Sequence, residues 1–187
     1  PLSCFDTLFS TLNNTFDITA DCEISVECNP ATADEDKLRA LRALGVNRLS
    51  IGAQSAVDAE LKALGRIHTW RETKETVHAA RRAGFDNISV DLMYGIPEQT
   101  KDSFLDTLAF VASMKPEHIS MYNLRIEDGT PFGERRHMLP LPDEEAAREM
   151  FLRGIEFLAA RGYDQYEISN FSKPGFECRH NVKNWKC

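Results

Sequence analysis

Short apolar segments with the pattern of β-strands alternate along this sequence with longer segments that have the periodicity of amphipathic helices. Strands that alternate with helices pair in parallel through right-handed crossovers, which strongly constrains the fold. Four consecutive strand–helix units fit part of a β/α barrel better than a two-layer α+β fold. A doubly wound open sheet is the main alternative, but its glycine-rich nucleotide-binding turn is absent after the first strand. The predicted strands are residues 23–28, 48–54, 87–94 and 118–125, with residues 165–169 as a further candidate.

Capping patterns predict where several helices begin and end. Thr32 and Glu35 are spaced as a capping box, and Gly45 stands where a C-terminal glycine cap is expected. Thr69 is predicted to cap a longer helix, and Asp143 is predicted to begin the last long one. Helices are therefore expected after the first, second and fourth predicted strands, and a further helix is predicted at about residues 102–114, after the third.

The composition is that of an ordinary globular protein and excludes several functional classes. The chain has 187 residues, 42% of them hydrophobic, which is enough for one domain with a sizeable core. A net charge of −7 argues against general nucleic-acid binding, which needs a cationic surface. No apolar run is long enough to span a bilayer, and no signal-peptide pattern is found. Five cysteines without paired spacing indicate reduced thiols and a cytoplasmic location.

Polar side chains stand at or near the ends of three predicted strands, namely Glu27, Gln54 and Asp91. The carboxyl ends of parallel strands meet at one edge of a sheet, where ligands bind in α/β folds. Asp91 faces opposite to the apolar side of its strand, so in a barrel it would line the interior. Each residue also has a structural alternative: an ion pair for Glu27, loop contacts for Gln54 and a buried ion pair for Asp91.

Arg66 is predicted to lie at the same edge of the sheet. Of the two helices between the second and third strands, only the second is long enough to run back along the barrel. The shorter one is then an excursion at the carboxyl end, which leaves Arg66 and His68 there. A surface ion pair for Arg66 and a helix-entry contact for His68 are the alternatives. Taken together, the acids, the amide and the guanidinium predict a pocket for a polar zwitterion that carries hydroxyl groups.

The C-terminal segment carries Cys178 and His180, two residues apart. A buried thiol beside a structurally satisfied histidine is the simplest interpretation, because such short spacing is weak evidence for a metal. Haem remains a second interpretation, because histidine or cysteine can serve as its axial ligand.

These segments carry a family resemblance that extends from Asp21 to Trp185. The sequence resembles radical SAM proteins related to oxygen-independent coproporphyrinogen III oxidase, and its C-terminal part is more similar to the haem chaperones of that family. The residues that carry the resemblance are Glu27-Cys28-Asn29-Pro30, Asn47-Arg48-Leu49-Ser50-Ile51-Gly52-Ala53-Gln54-Ser55, Gly65-Arg66-Ile67-His68, Asp91-Leu92-Met93-Tyr94-Gly95-Ile96-Pro97-Glu98-Gln99-Thr100, Tyr166-Glu167-Ile168-Ser169-Asn170, Lys173-Pro174-Gly175 and Cys178-Arg179-His180-Asn181.

The resemblance implies a partial (β/α)6 radical SAM barrel that binds S-adenosyl-L-methionine beside a [4Fe-4S] cluster. It implies domains at residues 1–162, the C-terminal part of the barrel, and at residues 163–187, the start of a haem-associated segment. In the family, the reduced cluster cleaves S-adenosylmethionine to a 5′-deoxyadenosyl radical. The S-adenosylmethionine contacts carried over from the family are Glu27, Gln54, Arg66 and Asp91, with Met93 and Arg125 beside the adenosine and His180 toward haem.

Three departures from the family pattern qualify these implications. The sequence has no CxxxCxxC loop and no glycine-rich segment after a second strand, so we expect an internal fragment that lacks the first two barrel strands. Such a fragment is not expected to hold the cluster or to be active alone. In the haem motif of the chaperones, His-Asn-x-x-Tyr-Trp, Asn184 replaces the tyrosine.

Three functional hypotheses follow. The first is a haem chaperone that binds haem and passes it to an unidentified acceptor protein. The second is an oxygen-independent coproporphyrinogen III oxidase, which decarboxylates propionates in haem biosynthesis. The third is an unrelated barrel enzyme that uses Glu27 and Asp91 as an acid–base pair.

Overall fold

A single mixed β-sheet organises the computed structural model, which describes residues 2–186. Within that range the sheet has six strands in the order β1-β2-β3-β4-β6-β5. The first four pair in parallel, and β6 and then β5 add to the sheet in antiparallel fashion. The strands are β1 (Ser25–Cys28), β2 (Arg48–Gln54), β3 (Ile88–Tyr94), β4 (His118–Asn123), β5 (Asp164–Gln165) and β6 (Asn170–Ser172).

Helices connect the parallel strands in the predicted alternation, which confirms an α/β fold with a mostly parallel, open sheet. Pro1 and Cys187, with the predicted reduced thiol of Cys187, lie outside the described residues. None of the helices in residues 2–186 is both long and apolar enough to cross a membrane. The helices are α1 (Leu2–Thr15), α2 (Glu35–Ala43), α3 (Asp58–Ala63), α4 (Trp70–Arg82), α5 (Lys101–Ser113), α6 (Pro131–Glu134), a 3-10 helix (Arg136–Met138), α7 (Glu144–Ala159) and α8 (Arg179–Lys186).

The two faces of the sheet differ in chemistry. One face is apolar and fully buried against α1, α2, α4, α5 and α7, because alternate strand residues point to the same side. The other face carries mainly polar side chains. Parallel sheets with helices on both faces are apolar on both, so this pattern assigns the second face to a polar interior. The apolar face includes Leu49, Ile51, Ile88, Val90, Leu92, Ile119, Met121 and Phe171, and the polar face includes Arg48, Ser50, Ser89, Asp91, His118, Ser120 and Asn170.

The helix caps follow the sequence with one exception. Thr69 forms the predicted capping box, Asp143 accepts a hydrogen bond from Ala146 N at 2.7 Å, and Gly45 adopts a φ of 102°. The predicted box at residues 32–35 is wrong. Asp34 is the N-cap and accepts from the backbone nitrogen three residues on, because the Thr32 hydroxyl instead donates to a carbonyl of the preceding turn.

Two predicted strands also differ from the structure. The candidate strand at residues 165–169 is wrong, because β5 and β6 form an antiparallel hairpin whose connection is residues 166–169. Within it, Ser169 N donates to the Glu167 carboxylate at 2.9 Å, which satisfies the backbone locally instead of in a ladder. The fourth strand ends at Asn123, so Arg125 lies two residues beyond it. Helix α1 had no counterpart among the predicted elements.

Candidate functional site

The three strand-end residues, Glu27, Gln54 and Asp91, lie on the polar face at the carboxyl end of the sheet, which we call the rim. Glu27 pairs in register with Ser50 of β2, and Ser50 pairs with Ser89 of β3, which places Asp91 further toward the carboxyl end. Glu27 is exposed and Asp91 is half-buried. In residues 2–186 Glu27 has no hydrogen-bond or ion-pair partner for its carboxylate, so the alternative of a rim ion pair is not realised there.

Gln54 ends β2 in a left-handed backbone conformation, with a φ of 66°. A non-glycine residue pays a steric cost in this region, and such strain is often found at functional sites. The side chain folds back over Gly52, where an added Cβ would stand 3.0 Å from Gln54 Nε2 and 3.5 Å from Asn29 Oδ1. The missing side chain at Gly52 therefore lets the amide lie against the sheet at the rim.

Asp91 is held by hydroxyl groups rather than by a cation. Ser50 Oγ donates to Asp91 Oδ2 at 2.7 Å, while Ser120 Oγ and Ser89 Oγ donate to Asp91 Oδ1 at 2.7 and 3.3 Å. A carboxylate offers about four acceptor positions, so roughly one remains for a ligand donor. The predicted alternative of a buried ion pair is thus replaced by neutral hydrogen bonds from three strands.

The loop after α3 reaches the same rim, as the path argument predicted. His68 is buried and its Nε2 lies 3.2 Å from the carbonyl oxygen of Ala53, next to the end of β2. His68 is thus satisfied by the backbone, which fits its structural alternative. Arg66 is exposed, and among the described residues no acceptor for its guanidinium is found. The alternative of a surface ion pair for Arg66 is therefore not realised in this part of the chain.

Met93 and Arg125 approach this edge from the last two parallel strands. Met93 pairs in register with Tyr122 and is half-buried, whereas Arg125 is exposed beyond the end of β4. The structure places both at the carboxyl end, but neither makes a side-chain hydrogen bond to the other predicted site residues.

A buried carboxylate that the sequence reasoning missed holds the rim loops from behind. Glu60 of α3 is 4% exposed and accepts from Ser55 Oγ at 2.6 Å, Gln99 Nε2 at 3.0 Å and Ser103 Oγ at 2.7 Å. Ser55 follows β2, while Gln99 follows β3 and Ser103 lies in α5. Glu60 therefore ties together the two loops that follow β2 and β3, the strands of Gln54 and Met93. No local sequence pattern indicated this role, because Gln99 and Ser103 are about 40 residues away from Glu60 along the chain.

His180 lies at the opposite end of the sheet from this rim. The start of α8 is anchored before β1, because Arg179 N donates to Glu23 Oε1 at 3.1 Å. His180 is exposed, and its Nε2 accepts a hydrogen bond from Asn184 Nδ2 at 3.2 Å. Cys178 is buried, in line with the simplest interpretation of that thiol. Residues 2–186 contain no cluster of three or more potential metal ligands.

Burial shifts the pKa values of two groups that lie between the rim and α8. Burial lowers the pKa of His118 to about 3, and the positive charge of Arg48 adds to the effect. Burial likewise raises the pKa of Tyr166 to about 12. Arg48 is 5% exposed, and its Nε finds no acceptor within residues 2–186. These interior groups were not predicted, although the His-Ile-Ser-Met alternation that begins at His118 was visible in the sequence.

Comparisons with known proteins identify the family of the chain. The family model for the radical SAM superfamily matches residues 7–111, and the chain belongs to that superfamily. The heme chaperone HemW of Escherichia coli (strain K12) is 39% identical over 180 residues, which cover 96% of this chain and 47% of that protein. The mitochondrial radical S-adenosyl methionine domain-containing protein 1 of Bos taurus is 41% identical over 172 residues, which cover 91% of this chain and 39% of that protein.

Among solved structures, coproporphyrinogen III oxidase (HemN) from Escherichia coli, described as a radical SAM enzyme, superposes with a TM-score of 0.83 at 28% identity. The superposition covers 100% of this chain and 43% of that protein. The chain thus spans about half, or less, of the length of the relatives that it matches.

The residues present fit one of the two groups that the superfamily implies. A carboxylate and a guanidinium that have no partner among residues 2–186 lie at one rim with an amide and a carboxylate that has spare acceptor capacity, and this set suits S-adenosylmethionine. Gly52 leaves the space that the rim amide fills. A [4Fe-4S] cluster does not fit, because cluster iron is held mainly by thiolates and no suitable ligand group occurs in the described part of the chain.

Proposed function

We propose that the carboxyl-end rim of this chain binds S-adenosyl-L-methionine. Arg66 would hold the carboxylate of the methionine part through paired hydrogen bonds, and Glu27 would hold its ammonium group. Gln54 and the spare acceptor position of Asp91 would receive the ribose hydroxyls, with Met93 and Arg125 beside the adenine. The observation that carries this proposal is that Glu27 and Arg66 lie at one rim, and neither has a side-chain partner among residues 2–186.

The chain's own residues bind and orient this molecule. Two opposite charges at the rim match the two charges of the amino-acid part, so they fix which end of the ligand faces which strand. In this superfamily a bound cluster supplies the electron that cleaves S-adenosylmethionine to a radical. Because no described group fits a cluster, we assign no radical step to the residues of this chain.

We further propose that the protein is a cytoplasmic haem carrier that binds haem through His180 and passes it to an acceptor protein. The curated relatives named as heme chaperones support this, and so does an exposed histidine on α8, the helix that also carries Trp185, which is 61% exposed. Histidine can serve as an axial ligand of haem iron, and an exposed indole offers a ring surface for the macrocycle.

Oxidative decarboxylation of coproporphyrinogen III is the second candidate function. The observation that favours it is the TM-score of 0.83 with a coproporphyrinogen III oxidase over the whole chain. The superposition covers all of this chain, α8 included, so the side chains of α8 rather than the fold distinguish the two functions.

A haem titration of the 187-residue chain followed by the Soret band separates these functions. The carrier proposal predicts saturable binding that weakens at least tenfold in His180→Ala. The matched control is His137→Ala, which removes an exposed histidine of the 3-10 helix and should leave binding unchanged. Equal affinity in all three proteins would reject His180 as the ligand, and absence of saturable binding would favour the oxidase.

A further inference from the structure

A continuous series of hydrogen bonds crosses the polar interior of the sheet, and it begins at the C-terminal segment. The hydroxyl of Tyr166 accepts from Asn181 Nδ2 and from Cys178 N, both at 3.3 Å. The same hydroxyl lies 2.8 Å from Nε2 of His118, the first residue of β4. Tyr166 therefore joins the start of α8 to the amino end of the sheet.

From His118 the series continues to the carboxyl-end rim. His118 Nδ1 lies 2.8 Å from Ser89 Oγ, and Ser89 Oγ donates to Asp91 Oδ1 at 3.3 Å. Ser89 and His118 are 0% and 1% exposed. The middle of the path is thus dry, and the path ends on the half-buried carboxylate that we place in the ligand site.

The direction of every hydrogen bond in the series is fixed by counting donors. Because the phenol oxygen of Tyr166 accepts two hydrogen bonds, its single proton is donated to His118 Nε2. His118 is neutral, since burial keeps its pKa near 3, so its one proton resides on Nδ1 and is donated to Ser89. Ser89 then donates its own proton to Asp91. All donors point toward Asp91.

We propose that Ser89, His118 and Tyr166 couple the rim carboxylate to the C-terminal helix, so that a ligand at Asp91 alters the stability of α8 and the reverse. This deepens the proposed function and rests on it for the identity of the two ligands: it makes S-adenosylmethionine at the rim and haem at α8 interdependent. The three side chains are positioning residues: they orient Asp91 at the rim and the start of α8.

Because the middle of the series excludes water, a change in the hydrogen bonds of Asp91 alters those of Tyr166. A ligand donor at the spare acceptor position, on Asp91 Oδ2, draws electron density from the carboxylate and so weakens the hydrogen bond that Ser89 donates to Oδ1. No water replaces a lost partner of the fully buried Ser89 or His118, so a weakened hydrogen bond there is compensated only by a shift of His118 against Tyr166. Coupling of this kind is reciprocal.

Amide hydrogen exchange of the 187-residue chain tests the coupling without any ligand. The variants are Ser89→Ala, Tyr166→Phe and their double variant, with exchange in α8 expressed relative to β2. Although Ser89 makes no hydrogen bond to α8, Ser89→Ala is expected to speed α8 exchange about fivefold, as loss of one hydrogen bond implies. The double variant should show no more than the larger single effect.

The matched control is Tyr163→Phe, which removes a buried hydroxyl that donates to Pro116 O at 2.7 Å, outside the series. This variant should leave the α8-to-β2 ratio unchanged. The coupling is overturned if Ser89→Ala gives the same ratio as Tyr163→Phe, or if the effects of Ser89→Ala and Tyr166→Phe simply add.

A second arm adds S-adenosylmethionine and monitors its binding by calorimetry. Binding should change α8 exchange in the unmodified chain at least threefold and leave it unchanged in Ser89→Ala. Binding without any change in α8 would contradict the coupling. Failure of S-adenosylmethionine to bind would contradict the proposed function instead, while the ligand-free comparison still decides the coupling.

Discussion

The neutral, buried state of His118 makes a quantitative prediction about stability and pH. The pKa of this imidazole is lowered from 6.5 to about 3, first by burial and then by the charge of Arg48. Between these values the unfolded chain binds a proton that the folded chain does not. The contribution of neutral His118 to the free energy of unfolding is therefore fully present above about pH 6.5. It is lost progressively as the pH falls toward 3.

The magnitude follows from the two pKa values. From pH 6.5 to pH 5.0 the unfolded histidine goes from half to almost fully protonated, while folded His118 stays neutral. Integration gives a loss of about 1.6 kcal/mol in the free energy of unfolding over this interval. His118→Gln does not titrate and keeps amide groups for hydrogen bonding, so the variant should lack this slope, whatever its overall stability.

Urea unfolding at pH 6.5, 5.75 and 5.0 measures both slopes. The other histidines are common to the two proteins and cancel in the difference, as do the carboxyl groups of Asp34, Glu35 and Glu145, whose pKa values are lowered. The stability difference between the chain and His118→Gln should shrink by about 1.6 kcal/mol as the pH falls. A difference that stays constant with pH would refute the assignment of His118 as a buried neutral group.

Two further substitutions test the two proposed ligand sites, the rim and α8. Gly52→Ala places a Cβ 3.0 Å from Gln54 Nε2, so it should displace that amide and weaken S-adenosylmethionine binding by about 1 kcal/mol in calorimetry; unchanged affinity would remove the amide from the site. Asn184→Ala frees His180 Nε2 from its hydrogen bond and should tighten haem binding about fivefold in a Soret titration. A looser complex in that variant would mean that Asn184 supports haem rather than competing with iron.

The rim was predictable from the sequence because two general rules suffice to place it. Parallel connectivity puts all strand carboxyl ends at one edge, and the period of two along a strand puts Asp91 on the face opposite to Ile88, Val90 and Leu92. The lengths of α3 and α4 then placed Arg66. Each of these steps uses only patterns that are local in the sequence.

The interior series of hydrogen bonds could not be predicted in this way. It depends on the register that sets Ser89 beside His118 and on the β5–β6 hairpin that brings Tyr166 to the amino end of β4. Both are long-range features that no local pattern encodes. The capping box expected at Thr32 failed for a related reason, because its hydroxyl is engaged by the preceding turn.

Calorimetric titration of the 187-residue chain with S-adenosylmethionine tests the central claim most directly, with Arg66→Ala as the site variant. Arg71→Ala is the matched control, because it removes another exposed arginine a few residues further along. We predict saturable binding that weakens by about 1.5 to 3 kcal/mol in Arg66→Ala, as expected for loss of a charged hydrogen bond, and no change in Arg71→Ala. Absence of binding, or equal affinity in Arg66→Ala, would contradict it.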